Sequence, residues 1–186
     1  MKNRKRGFSL VELLIVLAVI AALIATITPV ALNAIKKAKA TQVAQNLKTL
    51  ASALENAAYV NGAKSTVGVY APGATLQITQ AQLARDIDNK SYAIIYKWDG
   101  DNSKFVGYVV FVGDVDVKLL TATLSNASQD TWAEFKSEAE AKTNDWAAVG
   151  DVETDYPFGF ITDDFFSAAT GDNALISWYN FEFTVY

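Results

Sequence analysis

The chain has 186 residues, 51% of them hydrophobic, with 16 basic and 20 acidic side chains and a formal net charge of −4. That length holds one globular domain, commonly ~100–150 residues, plus an anchoring helix. With no cysteine it has no disulfide scaffold and no thiolate chemistry, and with no histidine it lacks the usual general base and the commonest metal ligand; its acidic balance disfavours nonspecific binding to nucleic acid or anionic lipid.

The chain opens on a basic leader, Lys2, Arg4, Lys5 and Arg6, that stops at Gly7 before an apolar run begins at Phe8. From Leu13 to Ile35 there are 23 consecutive uncharged residues, which as a helix cover roughly 35 Å, enough to cross a ~30 Å hydrocarbon core. The apolar part of a secretory signal is shorter, about 7–15 residues, and ends in a small-residue cleavage site. Here the basic cluster and Gly7 precede the run, so the run is read as a retained anchor. One residue breaks it. Glu12 stands well inside the apolar stretch, with Ile15 and Val16 where an ion-pair partner on the same helix would stand. A cut after Gly7 frees an α-amino group at Phe8, and Glu12 of one copy then has a partner in Phe8 of the next.

Gly7, Phe8, Ser9, Leu10, Val11 and Glu12, followed by an unbroken apolar helix and Pro29, resemble the prepilin signal of type IV pilins and the related pseudopilins. The resemblance covers residues 4–32 in detail and the helical pattern to about Tyr59; it does not extend to residues 64–186. It implies cleavage between Gly7 and Phe8 by a prepilin peptidase, N-methylation of Phe8, a cytoplasmic leader, and assembly into a filament built around these helices, with Glu12 setting the register. Many family members carry a glycine midway along the helix, where this chain has Ala21 and Ala22. A helix bend is therefore expected at Pro29, which removes a donor and crowds the carbonyl of Ala25, with Thr26 and Thr28 beside it.

Beyond the apolar run, Lys36, Lys37 and Lys39 follow, and Ile35, Val43, Leu47, Leu50, Leu54 and Ala57 or Ala58 recur at mostly three- and four-residue steps. The helix is expected to continue, amphipathic, until Asn61-Gly62 stops it. Residues 63–79 read as a connector turning at Pro72-Gly73. Thr79 with Gln82 is in capping-box spacing for a short helix through about Ile87.

Ser91–Trp98 and Lys104–Val112, rich in Tyr, Ile, Val and Phe, flank Asp99-Gly100-Asp101-Asn102 and predict a β-hairpin. Asp99, Asp101 and Ser103 have calcium-loop spacing, but Lys104 and Val110 stand where such a loop needs Gly and Glu, so a plain turn is the reading. Both faces of Phe105–Val112 are apolar, so that strand is expected to be covered twice. Gly113-Asp114 turns the chain into Val115–Leu124, expected to be a third strand of an antiparallel meander.

Residues 128–142 predict a surface helix with Thr131 and Glu134 in capping-box spacing and Trp132, Phe135 and Ala139 on one side. Residues 143–174 lose periodicity and are expected to be loop. At the end, Tyr179, Phe181, Phe183 and Val185 alternate with Asn180, Glu182 and Thr184, the mark of a half-buried strand returning to the sheet.

After Lys142 the chain carries eight carboxylates and no Lys or Arg. The plainer reading is a solvated acidic face; the alternative is a Ca²⁺ site drawn from Asp151, Glu153, Asp155, Asp163 and Asp164, which would resemble the C-terminal loops of some pseudopilins. Trp146, Tyr156, Phe158, Phe160, Phe165 and Phe166 are read as lids closing a sheet edge, or else as an adhesive or subunit-contact surface. No glycine-rich phosphate loop and no nucleophile beside a base suggests catalysis.

The expected fold is α+β and type IV pilin-like, a long N-terminal helix packed on an antiparallel β-sheet. Its parts are a leader at 1–7, a transmembrane and filament-core helix at 8–35, the amphipathic half of the same helix at 36–61, and a globular head at 62–186. The expected function is that of a structural subunit of a type IV pilus. Its partners would be further copies of itself, the prepilin peptidase, the pilus or secretion assembly machinery and the inner membrane, with no direct nucleic-acid binding. It would begin as a single-pass inner-membrane precursor and end in an extracellular filament serving adhesion, motility or DNA uptake. Rival readings are a type II secretion pseudopilin and a single-pass anchored binding module that never polymerises.

Overall fold

A computed structural model describes residues 8–61, 63–64, 68–69, 83–88, 90–99, 103–135, 137, 159–160 and 174–184. The chain forms two compact units, Met1–Ala38 and Lys39–Tyr186. The first is helical throughout its described part, apart from Phe8 and Ser9. The second is α+β, a helix packed on an antiparallel sheet, consistent with the type IV pilin fold.

Helix α1 runs Leu10–Asn61 and stops where Asn61-Gly62 was expected to stop it. Within the second unit it buries Ala40, Val43, Ala44, Leu47, Leu50, Ala51, Leu54 and Ala58. Those steps of one, three and four residues draw a single stripe down one face, as an amphipathic helix requires. Ile35, grouped with that stripe by its spacing, is instead exposed.

A short antiparallel pair follows, β1 (Ala63–Lys64) with β2 (Gly68–Val69). The short helix expected through Ile87 does not extend that far. Thr79 and Gln82 lie outside the described residues, only Leu83 is helical among residues 83–88, and Ile87 N–H closes a turn on the Ala84 carbonyl at 3.2 Å. The Asp88 carboxylate then accepts from Lys90 N–H and Ser91 Oγ, local bonds that compete with a helical ladder.

The hairpin is present as β3 (Tyr92–Asp99) and β4 (Lys104–Val112), with Asp99 opposite Lys104 and Tyr92 opposite Phe111. Ser103, at φ 51°, makes the left-handed step that returns the chain into β4. The expected third strand is not there. Val117–Thr123 is helix α2, capped by Asp116, whose carboxylate accepts from the backbone N–H groups of Lys118 and Leu119. An aspartate cap is worth about 1 kcal/mol. The hydroxyls of Thr121 and Thr123 donate to the carbonyls of Val117 and Leu119. Two β-branched residues are thereby accommodated on helical backbone.

The place of that strand beside β4 is taken by the C-terminal strand. With β5 (Ala127–Thr131), β6 (Gly159–Phe160) and β7 (Leu175–Thr184), the sheet has the order β5-β7-β4-β3-β6, antiparallel throughout. Residues 128–131, expected to open a surface helix, belong to strand β5, and helix begins only at 132–135. Thr131 nevertheless keeps its capping role, its Oγ1 accepting from Glu134 N–H at 3.3 Å.

Both sheet faces are covered, as the two apolar faces of β4 demanded. Tyr92, Ile94, Tyr96, Phe105, Val109, Phe111, Phe181 and Phe183 pack against the α1 stripe with Leu120 of α2. On the other face Ala93, Ile95, Tyr108, Val110, Ile176 and Trp178 pack under Trp132 and Phe135. Phe135 is fully buried, its ring edge-on to Tyr108 at 5.4 Å and tilted against Trp178 at 5.0 Å. Burying a large apolar side chain contributes roughly 1.5–3 kcal/mol, so this second core is a substantial part of the stability of the head.

Candidate functional site

The first unit carries the residues singled out for processing and assembly. Phe8 is 87% exposed, Ser9 precedes the helix, and α1 starts at Leu10. The first turn is closed by a reciprocal pair. Ser9 Oγ accepts from Val11 N–H at 3.3 Å, while the Glu12 carboxylate accepts from Ser9 N–H at 2.9 Å. This is capping-box chemistry, in which a hydroxyl and a carboxylate satisfy N–H groups that the helix itself leaves without acceptors.

Glu12 has no basic side chain at i+3 or i+4, where Ile15 and Val16 stand, but it does have a partner on its own chain. Its partner is backbone, and the signal was the Ser9-x-x-Glu12 spacing. The carboxylate also lies at the positive end of the helix dipole, where a negative charge is stabilised by ~0.3–1 kcal/mol.

Beyond Glu12 the helix is long and apolar enough to cross a membrane, with a mean hydropathy of 2.9 over its most apolar 18 residues and none of that window buried. Leu13, Leu14, Ile20, Leu23, Ile27 and Val30 are all exposed. So much outward apolar surface calls for lipid or other apolar helices. The two threonines do not interrupt it. Thr26 Oγ1 donates to the Leu23 carbonyl at 2.9 Å and Thr28 Oγ1 to the Ile24 carbonyl at 2.7 Å, so neither hydroxyl needs water. Secondary structure is continuous through Pro29. Lys36, Lys37 and Lys39 are exposed just past the apolar run.

Gly7 lies outside the described residues. So do Asp151, Glu153, Asp155, Asp163 and Asp164, the acidic set considered for Ca²⁺, together with Trp146, Tyr156, Phe158, Phe165 and Phe166. Of Phe160 the backbone alone is described, as part of β6. Among the described residues no group of three or more carboxylates is placed to hold a metal ion.

A family model described as the prokaryotic N-terminal methylation motif matches residues 2–28. This motif is the signature of type IV pilins and pseudopilins. No curated protein and no solved structure matches the chain. The motif implies processing by a prepilin peptidase and handling by an assembly machinery, and it indicates a structural subunit rather than an enzyme. With the apolar helix it fits a precursor anchored in the inner membrane.

Proposed function

We propose that the chain is a pilin of the major type, which is cut between Gly7 and Phe8, methylated on the Phe8 amine, and polymerised through residues 8–35 into a surface filament. The observation that supports this reading is the coincidence of the methylation motif with an exposed apolar helix that carries Glu12 four residues after Phe8. On extraction from the bilayer the helix exchanges lipid for neighbouring helices, so little apolar burial is lost. Residues 36–61 then serve as the spine of the head, and residues 62–186 form the filament surface. The capping bond to Ser9 keeps the Glu12 carboxylate at the amino end of its helix, where the freed amine of the adjoining copy is to meet it.

Two measurements on the native protein test the reading. Mass spectrometry of the N-terminus is expected to find methylated phenylalanine at position 8; an uncut Gly7-Phe8 bond would reject it. Glu12→Gln keeps a side-chain acceptor for the Ser9 N–H but removes the charge, and it is expected to abolish filaments in electron micrographs. Normal filament yield with efficient incorporation of Glu12→Gln would refute the register role. Deleting the gene separates a pilus, whose surface filaments vanish, from a secretion pseudopilus, whose loss stops enzyme export.

A further inference from the structure

Among the described residues, the last part of β7 has a strand neighbour on one side only. β5 pairs with β7 over Ala127–Thr131 against Leu175–Tyr179 and then leaves it, while β4 pairs with β7 along its length to Thr184. Residues Asn180–Thr184 therefore have a neighbour on one side and, among the described residues, none on the other. Which backbone groups face outward follows from one bond. Trp132 N–H donates to the Ala174 carbonyl at 2.9 Å, so Ala174 points toward the β5 side. In an antiparallel ladder such residues alternate, and β7 runs in unbroken register against β4 from Ile176 to Thr184. The N–H and C=O groups of Asn180, Glu182 and Thr184 thus point to the open side.

A groove of about 650 Å³ lies along this edge. Its walls are Lys48, Ser52 and Glu55 of α1, and its lining takes Tyr179, Phe181 and Phe183 from one face of β7 and Asn180 and Glu182 from the other. Residues of both faces line it, so the groove follows the rim of the sheet rather than either face. Unpaired strand backbone in a groove is recognised by another extended strand.

We infer that the occupant is β7 of a second copy, paired antiparallel about a two-fold axis through Glu182. The three outward residues are symmetric about Glu182, so this register sets Asn180 opposite Thr184 and Glu182 opposite Glu182, with every outward group meeting a complementary one. An isologous contact needs such self-complementarity. Like charges directly opposite would oppose it, but Lys104 Nζ lies 2.5 Å from the Glu182 carboxylate in each copy, so two lysines neutralise the central glutamates. A two-fold contact is closed and joins copies two at a time. On the reading of the chain as a pilin, it ties filaments side by side and does not lengthen one.

The chain has no cysteine, so single introduced thiols report the register without background. In an antiparallel hydrogen-bonded pair the Cα atoms are ~5.5 Å apart, within disulfide reach. Full-length chain in detergent, and filaments, are oxidised and run on non-reducing gels. Glu182→Cys is expected to give disulfide-linked dimer, and a mixture of Asn180→Cys with Thr184→Cys is expected to give mixed dimer while neither alone does. Ala122→Cys, exposed on α2, is expected to give none. The mixture leaves the Lys104–Glu182 pair intact, so absence of mixed dimer overturns the proposal whatever Glu182→Cys does, as does equal cross-linking from Ala122→Cys. Filaments that form without mixed dimer reject the pairing and leave the pilin reading standing; mixed dimer from a chain that makes no filaments rejects the pilin reading alone.

Discussion

Asn46 Nδ2, on the packed half of α1, donates to the phenol oxygen of Tyr92, the first residue of β3, across 3.2 Å. It is a polar tie between helix and sheet inside an otherwise apolar contact, and the Tyr92 ring is itself tilted against that of Phe111 across the hairpin, with centroids 4.9 Å apart.

Tyr92→Phe keeps the ring and removes the tie, so it is expected to lower stability by about 0.5–1.5 kcal/mol, read from urea unfolding of the detergent-solubilised chain. The same substitution has a signature at high pH. Burial raises the Tyr92 phenol above its ordinary value of 10.0, the Asn46 bond opposes this, and the Asp88 carboxylate adds to the rise. The folded chain therefore holds this proton to higher pH than the unfolded chain does. The contribution is fully present below pH 10 and is lost as pH climbs through and past that value. Tyr92→Phe should flatten the alkaline fall in stability; an unchanged slope would show that the phenol is not responsible for it.

Asp88 gives the opposite sign. The Lys90 N–H and then the Ser91 hydroxyl hold its carboxyl below the ordinary 3.8. Its contribution is present above the ordinary carboxylate range and is lost as pH falls through and below it. Asp88→Asn is expected to make acid unfolding less steep while loosening the entry into β3, and amide exchange at Lys90 and Tyr92 should rise with it.

Gly107 lies opposite Phe181 across β4 and β7. A Cβ at that position would stand 2.5 Å from the Ile95 carbonyl oxygen and 2.7 Å from the Phe181 ring. Backbone cannot give way as a side-chain tip can. Gly107→Ala is therefore expected to destabilise by roughly 1–3 kcal/mol, against the usual small gain from replacing a strand glycine. A urea midpoint equal to that of the unaltered chain would contradict the packing described.

Phe135 covers the sheet face away from α1. Phe135→Ala is expected to cost about 3–5 kcal/mol and to quench or shift the fluorescence of its neighbour Trp178. Leu50, fully buried on the α1 stripe, is expected to cost about 2–5 kcal/mol when cut to Ala. The two losses should add, since the sheet lies between the sites.

The sequence by itself determined the N-terminal segment and the ladder of local elements. Charge, apolar length and the Gly7–Glu12 spacing are properties of contiguous residues, so the methylation motif, the long apolar helix and the position of Glu12 in its first turn were legible. So were the α1 stripe at Val43, Leu47, Leu50 and Leu54, the hairpin, and the alternation that marks β7, because periods of 3.6 and 2 are written locally. The Ser9–Glu12 capping box was legible too, in the same spacing recognised at Thr131 and Glu134.

Only the tertiary structure decided what lies beside what. Val115–Leu124 has strand-like composition, yet Asp116 caps it into α2, because a cap is worth as much as the weak β preference of the residues it captures. Ala127–Thr131 becomes a strand because β7 offers it a ladder, and β7 reaches β4 from some 60 residues downstream. A strand's neighbour is chosen by which edge is open and which apolar face is still bare. Those are properties of the assembled sheet, which no window of the chain contains.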